Sequence, residues 1–333
     1  MKNYRPLKRN TWQGRIDDTN NEEAFRFHQV VQRINLNDQK IQIDREKINF
    51  CFLGFCSDLG VKKNLGRDGA AKAPEFIRRE LSNLPKTFSS NVQLYDAGDI
   101  IPENTNIKDL DETLSWSVQR ILDLNLFPIL LGGGHEIAYG HYMGILNYLN
   151  NSNKIGIINL DAHFDLRPYQ KNEPNSGTMF LQIANENLLK RRDFNYFCIG
   201  IQEHANTISL FKKAKELQVE YILAKEVIKK QQSELKNKLE KFINRMDCIY
   251  LTLCSDVFSS AFAPGVSASQ PFGLDPELVL DIIKYTASST KLISFDIAEI
   301  SPRFDTDNQT AKLGAVTIFA LINTLIGKEK LHP

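Results

Sequence analysis

Residues 161–165 place three side chains that can bind a metal at every second position: Asp161, His163 and Asp165. Successive side chains of a β-strand point to opposite faces, so a strand with this alternation would present all three together. Two carboxylates and an imidazole are costly to bury without a partner, and a bound cation is one such partner. A strand with one solvated face would also tolerate the run, and both interpretations stay open at this point.

Two other segments place similar side chains directly after apolar runs. The run Phe127–Leu131 is typical of a buried strand and leads through three glycines to His135. The run Cys248–Cys254 is rich in β-forming residues, and Cys254 and Asp256 would share a face in an extended strand. A lone histidine after glycines is more often a turn or core residue, but three such strand ends together predict one ligand cluster. Its members are His135, Asp161, His163, Asp165, Cys254 and Asp256.

The donor types in this cluster indicate the metal and the chemistry. Carboxylate oxygens together with imidazole nitrogens suit a divalent ion of the manganese type. Two such ions about 3.5–4 Å apart can share carboxylates and hold a hydroxide between them. The sequence therefore predicts metal-assisted hydrolysis with one or two Mn²⁺ ions.

The composition excludes several other classes of function. The chain of 333 residues has 41 basic and 40 acidic side chains, so no strong positive charge favours nucleic acid or an anionic membrane as a partner. Its five cysteines have no regular spacing, which favours a reducing compartment over a disulfide framework. The polar N-terminus and the absence of a long apolar stretch predict a soluble, cytoplasmic protein.

The elements that must position the ligands form an alternating pattern. Strands are predicted near residues 48–55, 92–98, 127–133, 155–163, 195–201, 219–223, 248–256 and 292–299, and helices near 74–82, 110–124, 137–149, 233–245 and 311–325. This alternation predicts one α/β domain over residues 47–333, with a mainly parallel sheet flanked by helices. Residues 1–46 are interpreted as an N-terminal extension that packs on the domain or on a neighbouring subunit. Sites in such sheets form beyond the carboxyl ends of the strands, where the candidate ligands lie.

Several ordered motifs resemble one known family. The sequence resembles the ureohydrolase superfamily of arginases, agmatinases and formimidoylglutamases over about residues 48–330, and its flanking segments resemble the formimidoylglutamase branch. The motifs are GGGHE at 132–136, NLDAHFDLR at 159–167, and the segments 60–74, 176–180, 263–268 and 296–311. The resemblance implies a three-layer arginase-like fold, homo-oligomeric assembly and a small-molecule substrate. It also implies metal-dependent hydrolysis of N-formimidoyl-L-glutamate to L-glutamate and formamide, a step of histidine degradation.

The resemblance also implies a role for each candidate residue. His135 and Asp165 would bind one ion, His163 and Asp256 the other, and Asp161 both. Glu299 matches the acidic residue that faces the cationic amidine of the substrate, a positioning role. Four side chains are candidates for binding the substrate carboxylates, because arginine binds carboxylate with two hydrogen bonds. They are Asn64, Arg67, Arg167 and Arg303.

Cys254 departs from the family pattern, because it stands where the family has its first bridging aspartate. Its thiolate could bind the metal and shift the preference toward softer ions such as zinc, cobalt or iron. A neutral thiol would instead leave a mononuclear centre. The third alternative is a non-catalytic, metal-poor paralogue.

Ser176 is a second departure, because agmatinase-like members have a histidine there. Proton transfer to the leaving group must then come from His204, from His141 or from metal-bound water. Hydrolysis of a guanidino compound such as arginine, agmatine or a guanidino acid is the alternative activity. Two substrate carboxylates require two cationic contacts, so the candidate arginines favour the formimidoyl substrate.

Overall fold

The structure, a computed structural model, describes residues 1–103, 106–150, 153–169, 173–229 and 232–327. The last six residues of the predicted domain lie outside these ranges. The strands are β1 (Tyr4–Arg5), β2 (Val31–Arg33), β3 (Ile48–Phe55), β4 (Val92–Ile100), β5 (Phe127–Leu131), β6 (Ile155–Leu160), β7 (Asn195–Ile201), β8 (Glu220–Leu223), β9 (Cys248–Cys254) and β10 (Leu292–Ala298). The helices are α1 (Phe27–Val30), α2 (Leu59–Lys63), α3 (Ala73–Ser82), α4 (Ile107–Asp123), α5 (Ile137–Tyr148), α6 (Met179–Leu189), α7 (Ile208–Glu216), α8 (Ala224–Lys229), α9 (Gln232–Asn244), α10 (Pro276–Ala287) and α11 (Gln309–Ile326).

The strands form one sheet in the order β1-β4-β3-β5-β10-β9-β6-β7-β8, with β2 also paired to β4. Every pairing is parallel except that of β1 with β4. Parallel strands need crossover connections, and the helices supply them. The predicted α/β class and mainly parallel sheet are therefore confirmed.

Alternate side chains of the central strands enter two separate cores. In β3, Phe50 and Phe52 belong to one hydrophobic cluster, whereas Cys51, Leu53 and Phe55 belong to the other. This is the period of two expected for a strand covered on both faces. Burying both faces explains why the strand reads as a continuous apolar run in the sequence.

The helices cover the two faces of the sheet in two layers. Side chains from α3, α9, α10 and α11 join the first cluster, and side chains from α4, α5, α6 and α7 join the second. The sheet between them completes a three-layer α/β/α domain.

The 18 residues of helix α11 form a helix long and apolar enough to cross a membrane by composition, contrary to the expectation that no stretch would approach this length. Half of the helix is buried in the domain, where Ala311, Ile318 and Ile322 are fully buried in the first hydrophobic cluster. Such burial is typical of a core helix.

The N-terminal extension contributes directly to the domain. Strand β1 pairs with β4, and the hydroxyl of the buried Tyr4 donates to the carbonyl of Ala97 at 2.6 Å. Further along, Nε1 of Trp12 donates to Oδ2 of Asp96 at 2.9 Å. Parts of the extension are therefore packed against the sheet of the same chain.

Candidate metal centre

Four adjacent central strands end at the same edge of the sheet and bring the candidate ligands together. In the order β5, β10, β9 and β6, these strands lead into His135, Glu299, Cys254 and Asp161 respectively. The carboxyl ends of parallel strands form the usual position of a site in this kind of fold.

The predicted strand alternation at residues 161–165 is wrong, because β6 ends at Leu160. The run forms a tight turn instead. Oδ1 of Asp161 accepts a hydrogen bond from the backbone N–H of His163 at 2.7 Å, and Asp165 has a left-handed backbone with φ of 49°. Asp256 likewise lies beyond its strand, in the short 3₁₀ helix Ser255–Val257. Turns, and not strand faces, therefore gather these ligands.

The backbone beside His135 is fixed by reciprocal hydrogen bonds with Glu299. The N–H of His135 donates to Oε1 of Glu299 at 2.9 Å, and the N–H of Glu299 donates to the carbonyl of Gly133 at 2.8 Å. Glu299 adopts a left-handed backbone with φ of 65°, which is uncommon outside glycine and concentrates at functional sites. A Cβ atom at Gly133 would lie 1.8 Å from the carbonyl oxygen of Ser57, so only glycine fits there.

One group of donor atoms surrounds His135. Its Nδ1 lies 3.1 Å from Oδ2 of Asp161 and 3.2 Å from Oδ2 of Asp165. Ligand atoms of His135, Asp161 and Cys254 all lie within 4.8 Å of one another.

A second group surrounds His163 and shares Asp161 with the first. Nδ1 of His163 lies 3.1 Å from Oδ2 of Asp256 and 3.5 Å from Oδ1 of Asp161. The other oxygen of Asp256 is buried, and no described residue forms a hydrogen bond with it. A buried carboxylate oxygen without a partner is costly, and a cation would satisfy it.

The spacing of these donors fits divalent ions. Ligand atoms about 2.1 Å from a shared ion and at right angles to one another lie about 3 Å apart. The separations of 3.1 and 3.2 Å around His135, and of 3.1 Å between His163 and Asp256, match this value. Asp161 presents one oxygen to each histidine, which is the arrangement of a bridging ligand.

The pKa values reflect how many buried charges share this space. Burial favours the neutral form of Asp161, but the neighbouring side chains of His135 and His163 outweigh it and hold the Asp161 pKa below its usual value. Burial, reinforced by the charge of Asp161, raises the pKa of Asp165 to about 6. Burial and the charge of Glu136 raise the pKa of Glu299 to about 8.

Cys254 is buried at the end of β9, and its surroundings determine its protonation state. Burial raises its thiol pKa well above the ordinary value, and the charges of Asp161, Asp256 and Glu299 act in the same direction. The thiol is therefore neutral unless a cation compensates these charges. A divalent ion that contacts the sulfur would do so, because a coordinating thiol loses its proton.

A cleft of about 290 Å³ opens onto the two donor groups. Among the residues that line it are His135, His163, Asp165, Cys254, Asp256, Glu299, Asn64, Arg67, Arg167 and Ser176. Its wall is strongly polar and suits a small charged substrate. The structure therefore brings most of the sequence-predicted site residues together.

The two arginines of the cleft are held differently. Nε and Nη2 of Arg67 donate to the carbonyls of Ser267 and Val266 at 2.9 and 2.7 Å, and its guanidinium lies 4.2 Å from the ring centre of Phe304. Within the described residues, no group accepts a hydrogen bond from the guanidinium of Arg167, which lies against Gly177. Arg67 is thus fixed, and Arg167 is available to an incoming anion.

Three other histidine and arginine candidates do not line the cleft. Nε2 of His204 is bonded to Oε1 of Gln270 at 3.0 Å, and the exposed guanidinium of Arg303 forms an ion pair with Asp68. His141 is fully buried, and its Nδ1 donates to Oδ2 of Asp296 at 2.6 Å. Among the described histidines, only His135 and His163 line the cleft.

Sequence reasoning missed supporting residues on the same strands. Nδ2 of Asn159 donates to Oδ2 of Asp161 at 3.1 Å, and Oγ1 of Thr252 lies 2.9 Å from Nε2 of His135. Both residues lie two positions before a candidate ligand, so the period of two could have identified them. No comparable signal pointed to Ser267, which lines the cleft and holds Arg67.

Comparison with known proteins gives a consistent picture. Residues 48–323 match the arginase family. A formimidoylglutamase of Clostridium tetani is 50% identical over 328 residues, which cover 97% of this chain and 96% of the relative.

Solved structures share the fold. Formimidoylglutamase from Bacillus subtilis superposes with a TM-score of 0.78 at 22% identity and covers 96% of both chains. Formiminoglutamase from Trypanosoma cruzi, crystallised with Mn²⁺, superposes with a TM-score of 0.76 at 22% identity, over 86% of this chain and 96% of that one.

Proposed function

The chain belongs to the arginase family, and from that premise we propose that it hydrolyses N-formimidoyl-L-glutamate to L-glutamate and formamide. This is a hydrolysis of the C–N bond of a linear amidine. The reaction belongs to histidine degradation. The high identity to a named formimidoylglutamase over nearly the full length of both chains supports the substrate.

One observation carries the metal-dependent part of this proposal. Asp161 presents one oxygen to each of two histidines, and these stand in separate donor groups. His135, Asp165 and Asp161 would hold one ion, and His163, Asp256 and Asp161 the other. Bound there, divalent ions would supply Lewis acidity and lower the pKa of a water at the cleft.

Mn²⁺ is the proposed ion, and Cys254 is proposed as a further ligand through its thiolate. Mn²⁺ accompanies the Trypanosoma cruzi relative and suits the carboxylate and imidazole donors. The sulfur of Cys254 lies in the same group as the donors of His135 and Asp161. Because sulfur favours softer ions, the centre would bind zinc or cobalt better than an all-carboxylate centre does.

Glu299 would orient the reacting end of the substrate. Its carboxyl lies at the cleft, held by the N–H of His135, and faces the space beside the donor groups. A cationic formimino group would stabilise the ionised form of Glu299 and so offset its raised pKa. Glu299 and the substrate cation would thus position the amidine carbon over the metal centre.

Arg67, Arg167 and Asn64 would bind the glutamate portion. The free guanidinium of Arg167 can donate two hydrogen bonds to a carboxylate, and the fixed Arg67 supplies a second positive charge. Nδ2 of Asn64 already donates to Oγ of Ser176 at the same wall. Two cationic side chains favour a dicarboxylate over agmatine, which has no carboxylate.

His204 and Arg303 would take no part in the reaction, because neither lines the cleft. His141 does not line the cleft either, because its ring is buried and forms a hydrogen bond with Asp296. The described part of the chain therefore offers no imidazole outside the proposed ligands to protonate the leaving group.

The decisive experiment measures glutamate and formamide release by the Mn²⁺-reconstituted protein. N-formimidoyl-L-glutamate is assayed in parallel with arginine, agmatine and a guanidino acid, and Asp161→Asn serves as the inactive control. Turnover of the first substrate alone is the expected result. Turnover of a guanidino substrate would replace the proposed specificity, and inactivity with Mn²⁺, Zn²⁺ and Co²⁺ would favour a metal-poor paralogue.

Homo-oligomeric assembly and a cytoplasmic location stay predictions from the sequence. Sedimentation of the purified protein and fractionation of cells would test them.

A further inference from the structure

A buried carboxylate lies behind the candidate metal centre, in the middle of the sheet. Asp296 is fully buried and accepts hydrogen bonds from three side chains. Oγ1 of Thr252 donates to its Oδ1 at 2.7 Å, Nδ1 of His141 donates to its Oδ2 at 2.6 Å, and the hydroxyl of Tyr250 also donates to Oδ2. Three donors offset the cost of removing this charge from water.

Sheet register and helix packing assemble this network. Asp296 in β10 is paired with Thr252 in β9. Two residues earlier on the same strands, Ser294 is paired with Tyr250. His141 belongs to α5, which packs on the sheet. Its ring centre lies 4.5 Å from that of Tyr250, and its Nε2 forms a hydrogen bond with Oγ of Ser294. The carboxylate is therefore held from the sheet and from the helix layer above it.

Thr252 connects this carboxylate to His135. Its Oγ1 lies 2.9 Å from Nε2 of His135 and 2.7 Å from Oδ1 of Asp296. A hydroxyl has one hydrogen, and Thr252 donates it to Oδ1 of Asp296. The hydroxyl hydrogen therefore points to Asp296, and the threonine oxygen accepts from His135.

This direction of hydrogen bonding determines the tautomer of His135. The ring must carry a hydrogen on Nε2, so Nδ1 is the nitrogen that can offer its lone pair to an ion. That nitrogen is the one that lies 3.1 and 3.2 Å from Asp161 and Asp165. The atom free to bind a cation is therefore the atom that faces the other donors.

We propose that Asp296 is a positioning residue that acts through Thr252 to fix His135 as the Nε2–H tautomer, with Nδ1 available to bind the ion. The inference rests on the proposed metal centre and adds residues that do not touch the ion. Partners of this kind affect metal affinity by about 10- to 100-fold, because they set the orientation and basicity of the ligand.

Thr252→Val tests the connection, since valine has nearly the same shape but no hydroxyl. We expect the Mn²⁺ dissociation constant, measured by calorimetry or chelator competition, to rise about 10- to 100-fold. Thr252→Ser keeps the hydroxyl and should restore the affinity. Tyr250→Phe is the matched control, because it removes another donor to Asp296 without breaking the contact with His135 and should change affinity by less than about threefold.

A second measurement reads the tautomer in the protein loaded with diamagnetic Zn²⁺. The chain has six histidines, so ¹⁵N-histidine NMR of the Zn²⁺-loaded protein can resolve the His135 ring, assigned by its loss in His135→Asn. The Nε2–H pattern is expected in the wild type, and that hydrogen should exchange faster with solvent in Thr252→Val, which removes its acceptor. An Nδ1–H pattern in the wild type would overturn the connection from Asp296 through Thr252 to His135, even if the valine variant fails to fold.

Different results would overturn the proposed metal centre and the proposed role of Asp296 and Thr252. If the wild-type protein binds neither Mn²⁺ nor a softer ion, the proposed metal centre is wrong, and Asp296 and Thr252 then position no metal ligand. Two results would overturn the role of Asp296 and Thr252 but leave the metal centre standing. One is a wild-type protein that binds Mn²⁺ no more tightly than Thr252→Val does. The other is a loss of Mn²⁺ affinity in Thr252→Val that is no larger than the loss in Tyr250→Phe.

Discussion

Nδ1 of His135 and Oδ2 of Asp161 lie 3.1 Å apart, although the strands that lead into them, β5 and β6, are separated by β10 and β9. Long-range packing of the sheet thus holds a histidine and a buried carboxylate at the spacing of two ligands. Cations should stabilise this arrangement, because the centre contains more carboxylates than positive groups.

Metal removal is therefore expected to lower thermal stability. A ligand at about 100 times its dissociation constant stabilises the folded state by about 2.7 kcal/mol, which is about 4 °C in Tm for a domain of this size. Scanning calorimetry before and after chelation, and again after Mn²⁺ is restored, measures the shift. Asp161→Asn should show no response to Mn²⁺, and a wild-type Tm that ignores chelation would contradict the prediction.

Substitution of Cys254 should change which ion the centre prefers. In the Co²⁺-loaded protein we expect a thiolate-to-cobalt charge-transfer band that disappears in Cys254→Ser. Cys254→Asp should shift the preference toward Mn²⁺ over Zn²⁺ by about tenfold, equivalent to about 1.4 kcal/mol. The band measures sulfur coordination directly, so its absence from the wild type would show that the thiol stays outside the coordination sphere.

Much of the fold could be predicted because the central strands are buried on both faces and read as apolar runs. Strands β3 and β7 have the predicted bounds, and α3 and α5 differ from them by one residue at one end. The ligands after each strand followed from the rule that sites form at carboxyl ends. Their local geometry did not, because alternation cannot reveal that a strand ends one residue before Asp161.

Side chains in loops were harder to place, because their direction depends on contacts distant in sequence. Arg303 resembled a substrate-binding residue but is paired with Asp68, 235 positions away. His204 lies after β7 as expected, yet its ring is bonded to Gln270 from another loop. The periodicity of apolar residues in the sequence does not indicate such long-range pairings.

Glu299→Gln should reduce turnover while the metal is retained. The amide can still accept from the N–H of His135, so the backbone contact survives, but the negative charge that faces the amidine is lost. Removal of one such electrostatic contact costs about 10²- to 10³-fold in kcat. Steady-state kinetics together with metal analysis separate the effects, and a parallel loss of metal would assign Glu299 a structural role instead.

Arg167→Ala should weaken substrate binding, because its guanidinium is the free cation of the described cleft. Charged hydrogen bonds contribute about 1.5–3 kcal/mol, so KM should rise about 10- to 100-fold. Arg303→Ala is the matched control, since its side chain is exposed and paired with Asp68 outside the cleft. Equal effects of the two substitutions on KM would remove Arg167 from the binding site.

Arg78→Met should destabilise the fold without removing any contact of the candidate metal ligands. The fully buried Arg78 donates from Nε and Nη2 to Asp96 at 2.7 and 3.0 Å and from Nη1 to Asp99 at 2.6 Å, and Trp12 of the N-terminal extension shares the Asp96 carboxylate. Loss of one partner leaves a buried charge uncompensated, which costs about 3–5 kcal/mol.

Urea unfolding followed by tryptophan fluorescence measures this change, with Arg79→Met as the control at the next position. The guanidinium of Arg79 is half exposed and lies 4.4 Å from the ring centre of Phe76, so its removal should cost less than about 1 kcal/mol. The affinity for Mn²⁺ should stay unchanged in both variants, because Arg78 pairs with β4 and not with the strands that carry the ligands. Similar unfolding free energies for the two variants would show that the buried pair contributes no more than a surface one.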